Sequence, residues 1–257
     1  MTPWPGGRVA AVSLTFDDGL GSHLSRAIPA LDERGLRGTF YLNPRGSEDD
    51  PRRPLPWREM LAPWGPASAA GHEMGNHTLR HPCSLNIDTS GWQPDANLRS
   101  WTLGRIEADI AEAQRRIAAA FPAQRATSFA YPCYESTLGS GADRVCYTPV
   151  VARYCNAGRA GGALSGNLAN DPAFCDRFHL SSWPAERLSG PTMIGLVERA
   201  AALGRWAILT FHGVDEGHLS VSAFDFAELL DHLARRRDAV WVAPVAEVAE
   251  ALASQRY

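Results

Sequence analysis

An apolar run from Val9 to Phe16, broken by Ala10, Ala11 and Ser13, stops abruptly at two adjacent carboxylates and a glycine, Asp17-Asp18-Gly19. It reads as a buried strand that delivers acids to a rim. In α/β folds the carboxyl ends of the strands carry the chemistry, so two Asp side chains there can meet a metal or a substrate. Asp-Gly is also a common turn dipeptide, and alone the pair is equally a tight turn. A second run of this kind, Arg205 to Phe211, ends at His212-Gly213, with His218 six residues on. Between these two, strand-like stretches at 38–42, 126–133, 149–156 and 177–183 alternate with helical patterns at 22–35, 57–70, 103–121 and 191–203. A helix at 224–237, a short strand at 240–242 and a helix at 245–253 follow. Such alternation predicts a parallel sheet, open or closed into a barrel. The 257 residues suffice for one barrel domain, which takes roughly 250.

Composition removes several classes of function. A net charge of -3 gives no basic face for nucleic acid. No apolar run approaches the roughly 20 residues that span a bilayer. Every cationic side chain is Arg, because the sequence contains no Lys, which rules out lysine Schiff-base chemistry and a lysine-dependent phosphate loop. The glycine-rich segment 157–166 also lacks the dinucleotide fingerprint and is expected to be a flexible, backbone-exposing loop, with Arg159 in it as a candidate substrate contact. The N-terminal residues lack the basic and apolar regions of a signal peptide, so the expectation is a cytoplasmic protein or a trimmed secreted or periplasmic one.

Five cysteines, Cys83, Cys133, Cys146, Cys155 and Cys175, form no CxxC pair and are odd in number, so neither a zinc knuckle nor a complete disulfide framework is expected. Cys133 falls at the exit of the 126–133 run, where a nucleophile could sit, although cysteine is as commonly a small buried hydrophobe. More informative is Gly71-His72-Glu73-Met74-Gly75-Asn76-His77-Thr78-Leu79-Arg80-His81. His77 and His81 are four apart, and on a helical turn that spacing puts both rings on one face, within reach of one metal ion. The same spacing also occurs among satisfied surface or core histidines.

Taken together, an acid pair after the first strand, HxxxH after a middle one and a His after a late one supply one carboxylate and two imidazoles for a metal, with an acid and an imidazole to spare. Such a ligand set leaves coordination positions open, and water bound there can be acidified to a pKa of about 7. Thr-Phe-Asp-Asp-Gly at 15–19, His-Thr-Leu-Arg-His at 77–81 and Phe-His-Gly at 211–213 resemble the polysaccharide deacetylase family, the NodB-homology group or carbohydrate esterase family 4. The resemblance spans nearly the whole chain, so residues 1–257 are expected to form a single α/β domain, a distorted (β/α)7-type barrel. It implies a metal-dependent hydrolase that removes acetyl groups from N-acetylated sugars or O-acetylated polysaccharide. Asp17 would be the general base, Asp18, His77 and His81 the metal ligands, and His212 the general acid. The backbone N–H of Cys133 would help to hold the oxyanion, with Tyr131, Arg159, Trp183 and His218 as further substrate contacts. The implied metal is Zn²⁺, with Co²⁺ or Ni²⁺ as alternatives, and the implied partner is an acetylated oligo- or polysaccharide.

Two positions depart from the family pattern. Arg-x-Pro-Tyr is replaced by Ala130-Tyr131-Pro132-Cys133, so either another arginine, Arg159 or Arg177, tunes Asp17 or Asp17 is tuned differently. Thr210 stands where a leucine is usual, which alters the expected acyl-methyl pocket. Two other readings therefore stay open: a metal-dependent hydrolase of small cyclic amides or imides on the same fold, and a catalytically inactive carbohydrate-binding relative. Trp92, Trp101, Tyr134 and Trp183 fall in expected rim segments, where sugar sites favour aromatic faces, although aromatics are more often core.

Overall fold

The computed structural model describes residues 4–83, 96–162, 166 and 169–254, so Trp92 lies outside the described residues. Its centre is strand β1 (Ala10–Phe16), buried at every position. Strands β2 (Thr39–Leu42), β3 (Glu73–Asn76) and β4 (Ser128–Ala130) extend the sheet on one side. A small antiparallel hairpin, β5 (Thr137–Leu138) with β6 (Val145–Cys146), stands apart before β7 (Ala157–Arg159) completes that side. On the other side lie β8 (Trp183–Pro184) and β9 (Trp206–Phe211). The pair β10 (Gly213–Val214) and β11 (Ser220–Val221) forms a second small ladder, and β12 (Val240–Val242) returns to the start of β1. The order is β7-β4-β3-β2-β1-β9-β8, all parallel.

One edge of β1 is shared. Its first half, Ala10 to Val12, pairs with β12, and its last two residues, Thr15 and Phe16, pair with β2. At the far edges a single extended segment makes the closure: Leu180 bonds both ways to β7, through Leu180 N to Gly158 O and Ala160 N to Leu180 O, both 2.8 Å, and the chain then enters β8 against β9. The sheet is thus curled into the distorted (β/α)7 barrel expected.

Helices α1 (Ile28–Glu33), α2 (Trp57–Leu61) and α3 (Gly65–Ala69) follow the first two strands. Pro63 and Pro66 divide the 57–70 segment as proline chemistry requires. The long α4 (Leu103–Ala120) starts where the Thr102 side chain accepts from the Arg105 amide. Helices α6 (Gly190–Ala202), α7 (Ala223–Arg235) and α8 (Val245–Ser254) cover the late strands. Alternate positions of β1, namely Ala10, Val12, Leu14 and Phe16, join Met193 and Val197 of α6 and Phe226 and Leu229 of α7 in the main core. The intervening Ser13 and Thr15 face the concave side, where their hydroxyls donate to Ala243 O and Leu209 O. Asp17 continues that period of two.

One expected element is corrected. Residues 149–156 are not a strand: Thr148–Tyr154 is helix α5, and the strand is Ala157–Arg159, the opening of the segment expected to be a loop. Pro149 sits at the favoured first turn of the helix, and Val150 and Val151 pack against Ile106 and Ile110 of α4. The β-branched pair imitated a strand.

Candidate active site

The parallel register sets the functional residues at one level. Phe16 is aligned with Phe211 and Phe40, Leu42 with Asn76, and Ala130 with Arg159. The residues that follow these strand ends, Asp17 and Asp18 after β1, His77 after β3 and His212 after β9, therefore meet at the carboxyl rim. The bond from Asp17 N to Phe211 O, 2.9 Å, carries the β1–β9 ladder one residue further and sets Asp17 beside His212.

Asp18, His77 and His81 each offer a donor atom, and the three atoms lie within 4.8 Å of one another. His77 Nε2 is 3.6 Å and His81 Nε2 3.4 Å from Asp18 Oδ1, while His212 Nε2 is 4.0 Å from Asp18 Oδ2. His77 Nδ1 donates to Ala130 O at 2.8 Å, which fixes the tautomer and leaves Nε2 facing the cluster. Burial pulls the His77 pKa down to about 4, partly countered by Asp17, so the ring stays neutral at physiological pH, as a ligand must be. One carboxylate and two imidazoles whose Nε2 atoms converge on it fit a divalent cation such as Zn²⁺.

The turn that carries the two histidines is pinned by its own polar groups. Thr78 N donates to Asn76 Oδ1, His81 N to Thr78 Oγ1, and Leu79 N to Asp109 Oδ1 of α4. Asn43 Nδ2 donates to the His77 and Thr78 carbonyls. Asp18, Thr78, His81, Cys133 and Tyr134 all have φ between 51° and 74°. Such left-handed non-glycine residues are costly and concentrate at functional sites.

Asp17 is buried against Arg159, whose Nη2 lies 2.8 Å from Oδ1 and 2.6 Å from Oδ2. Burial alone would raise the Asp17 pKa, but Arg159, His77 and His212 together hold it below the ordinary carboxylate value. Arg159 Nη1 donates to Thr210 Oγ1, which donates to Ser182 Oγ, which donates to Ala160 O. The guanidinium carbon lies 5.2 Å from the Tyr41 ring centre and 5.4 Å from that of Tyr134. Gly75 and Gly161 make room for these two rings: a Cβ would fall 2.3 Å from Tyr41 Cδ1 and 2.4 Å from Tyr134 Cγ. Arg177 instead lies over the Phe178 ring. Tyr41, Thr210 and Ser182 supply contacts that sequence reasoning missed. Glu186 is another: one buried carboxylate oxygen has no hydrogen-bond partner, and its charge helps to raise the Tyr134 hydroxyl, which burial chiefly pushes up to about 12.

Other candidate residues lie elsewhere. Cys133 is bonded to Cys83, so its sulfur is not a nucleophile, and its contribution would be through the backbone; Cys146 and Cys155 are free thiols. Tyr131 is fully buried, with its hydroxyl donating to Phe178 O at 2.7 Å, and Trp183 is 1% exposed in the main core. Neither side chain can cover a sugar from those positions, and Trp101 is likewise core. His218 is exposed in the β10–β11 connection, where its carbonyl accepts from Arg187 Nη2.

The chain belongs to the polysaccharide deacetylase family, whose profile matches residues 7–138. Among solved structures, a Mycobacterium smegmatis protein assigned to the polysaccharide deacetylases aligns over 98% of this chain and 93% of its own, with a TM-score of 0.58 at 17% identity. A family 4 acetyl xylan esterase from Clostridium thermocellum, in complex with a cobalt ion, aligns over 93% and 89%, with a TM-score of 0.51 at 18% identity. A CE4 family pseudoenzyme from Bacillus anthracis aligns over 95% and 66%, with a TM-score of 0.51 at 18% identity. At such identities these likenesses speak for the fold. No curated protein matches the sequence significantly.

Proposed function

We propose that residues 1–257 form one catalytic domain, a metal-dependent hydrolase that removes acetyl groups from an acetylated carbohydrate. The observation that carries this reading is the convergence of Asp18, His77 and His81 within 4.8 Å, flanked by the paired Asp17 and by His212. A divalent ion held there would supply a Lewis acid and acidify a bound water. Asp17, kept ionised by Arg159, takes the proton from the attacking water. His212, at the end of the adjacent strand β9, gives a proton to the leaving amine or alcohol, and the Cys133 N–H donates to the oxyanion. Arg159 fills the role of the missing motif arginine from the neighbouring strand: Ala130, where the family carries it, is Arg159's register partner. A bare binding module has no need of such a base and acid.

The test is acetate release from acetylated chito-oligomers, peptidoglycan fragments, acetylxylan and an aryl acetate by chelated protein, with and without Zn²⁺ or Co²⁺. Metal-restored release is expected. Asp17→Asn should lower kcat by roughly 10² to 10⁴ while metal is retained; a wild-type rate in that variant would remove the proposed base. Tightly bound metal with no acetate from any substrate would shift the reading to small cyclic amides or imides.

A further inference from the structure

After Asp17 and Asp18 the chain does not enter α1 directly: His23–Ala27 forms a π-helical turn that runs into the helix. Wide turns of this kind are rare and occur frequently at functional sites. On this one the His23 ring points inward, 0% exposed among Phe16, Phe40 and Trp64, with ring centres 5.5, 5.7 and 6.2 Å away. A phenylalanine or leucine would fill such a place without taking two ring nitrogens out of water. What the imidazole adds is one bond. Its Nε2 lies 2.7 Å from the main-chain oxygen of His212, a group that can only accept, so Nε2 carries the proton and donates. Nδ1 has no hydrogen-bond partner, so the ring is anchored to His212 alone.

The His212 carbonyl lies where the backbone has least other support. Strand β9 ends at Phe211, whose oxygen accepts from Asp17 N, and the β10–β11 ladder starts at Gly213. His212 stands between the two ladders. The turn that carries His23 also holds the residues beyond it: Val214 N donates to Ser22 Oγ at 3.1 Å, Ser22 N to Glu216 Oε2 at 2.6 Å, and Arg26 Nη1 to Val214 O and Asp215 Oδ2. Fixing the 212–213 peptide fixes the direction in which the His212 side chain leaves the rim. A catalytic group misplaced by about 1 Å can lose roughly 10² in rate.

We infer that His23 is a positioning residue for His212: its bond to the His212 carbonyl sets the backbone from which the proton donor projects toward the leaving group. This rests on the deacetylase reading, in which His212 is the general acid, and adds to it a residue that touches neither metal nor substrate.

A general acid matters most where the leaving group is poor, so the metal-loaded protein is assayed on two kinds of substrate. One is a sugar, N-acetylated chito-oligomers or acetylxylan, whose amine or alkoxide needs a proton to leave; the other is 4-nitrophenyl acetate, whose phenolate leaves unaided. His23→Phe keeps an aromatic ring and removes the donor, and His23→Leu serves in its place should that protein not fold. His23→Phe should lower kcat on the sugar roughly ten- to hundredfold, with KM and the Zn²⁺ titration within about twofold of wild type, and lower the aryl ester rate by less than about threefold. His23→Gln, whose side-chain N–H can reach the same carbonyl, should recover most of the loss. In a His212→Ala background His23→Phe should cost nothing further, because the group it places is gone. An equal loss on both substrates, a loss as large in His23→Gln, or a further loss in the His212→Ala background would make His23 structural only and overturn the inference. If the wild type hydrolyses neither sugar, the deacetylase reading fails by itself, and amide hydrogen exchange then reads the bond without catalysis. Exchange at Val214 and Asp215 that is roughly tenfold faster in His23→Phe and restored in His23→Gln keeps the positioning; unchanged exchange sinks it.

Discussion

Arg159 and Asp17 are both buried, and each makes the other tolerable. Removing the arginine would leave a carboxylate in a dry site with only imidazoles nearby, so breaking the pair should cost about 3–5 kcal/mol of stability. The same loss should move the acid limb of the pH–rate profile. Arg159 now holds the Asp17 pKa down, so Arg159→Met should shift that limb upward by about 1–3 pH units. Ala130 is register-paired with Arg159, and adding Ala130→Arg to the Arg159→Met variant should bring the limb back down. An unshifted limb in Arg159→Met would show that the arginine is structural only. At this scale the sequence was informative wherever a residue directly follows a strand: Asp17, Asp18, His77 and His212 could be picked out because an apolar run or an imidazole cluster announces them. The Arg159 pairing was less legible, since it depends on the register of β4 against β7, and the two rings that sandwich it depend on the space left by Gly75 and Gly161. Period and motif carry neither.

Among the elements, the loops after β3 and β4 are joined by the Cys83–Cys133 disulfide, with Cα atoms 5.7 Å apart. It ties the turn that presents His81 to the turn that presents the Cys133 amide, two left-handed positions on neighbouring strands. A cross-link spanning 50 residues restricts the unfolded chain by about 4 kcal/mol on the chain-entropy account. The Cys83→Ser/Cys133→Ser protein should therefore melt roughly 8–16 °C lower. Its Zn²⁺ affinity should also fall, because His81 lies two residues from the lost anchor. Wild-type melting and wild-type zinc titration together would show that the bridge holds neither. The pairing could not be read from five cysteines without CxxC spacing, because it joins residues that only the β3–β4 neighbourhood brings together. Elements with a clear period were legible, α4 and α7 above all. The 148–154 segment was not, because Val150 and Val151 have strand propensity while their burial against α4 is a tertiary matter that overrides it.

Across the whole molecule, buried imidazoles set a pH dependence of stability, His23 behind the site and His72 away from it. His72 is held neutral by burial, with Asp32 acting to raise its pKa and Arg37 to lower it, and the net shift is downward from 6.5. His23 is likewise lowered by burial, against the pull of the His212 carbonyl, Asp17, Asp18 and Glu216. Below about pH 6.5 the unfolded chain takes up protons on these rings before the folded one does. Their stability contribution is thus complete above that pH and declines as pH falls toward the folded values. Glu73 and Asp109, raised by burial, pull the other way, so the histidine share is isolated by comparison with a variant. In His72→Gln the fall in Tm between about pH 7 and pH 5 should be shallower than in the wild type, both metal-free. The His72 ring accepts from Gly38 N at Nδ1 and donates to Asp32 at Nε2, so Gln costs some stability at every pH; only the slope tests the titration. Parallel curves would mean that His72 is protonated alike in both states and that its burial carries no linkage.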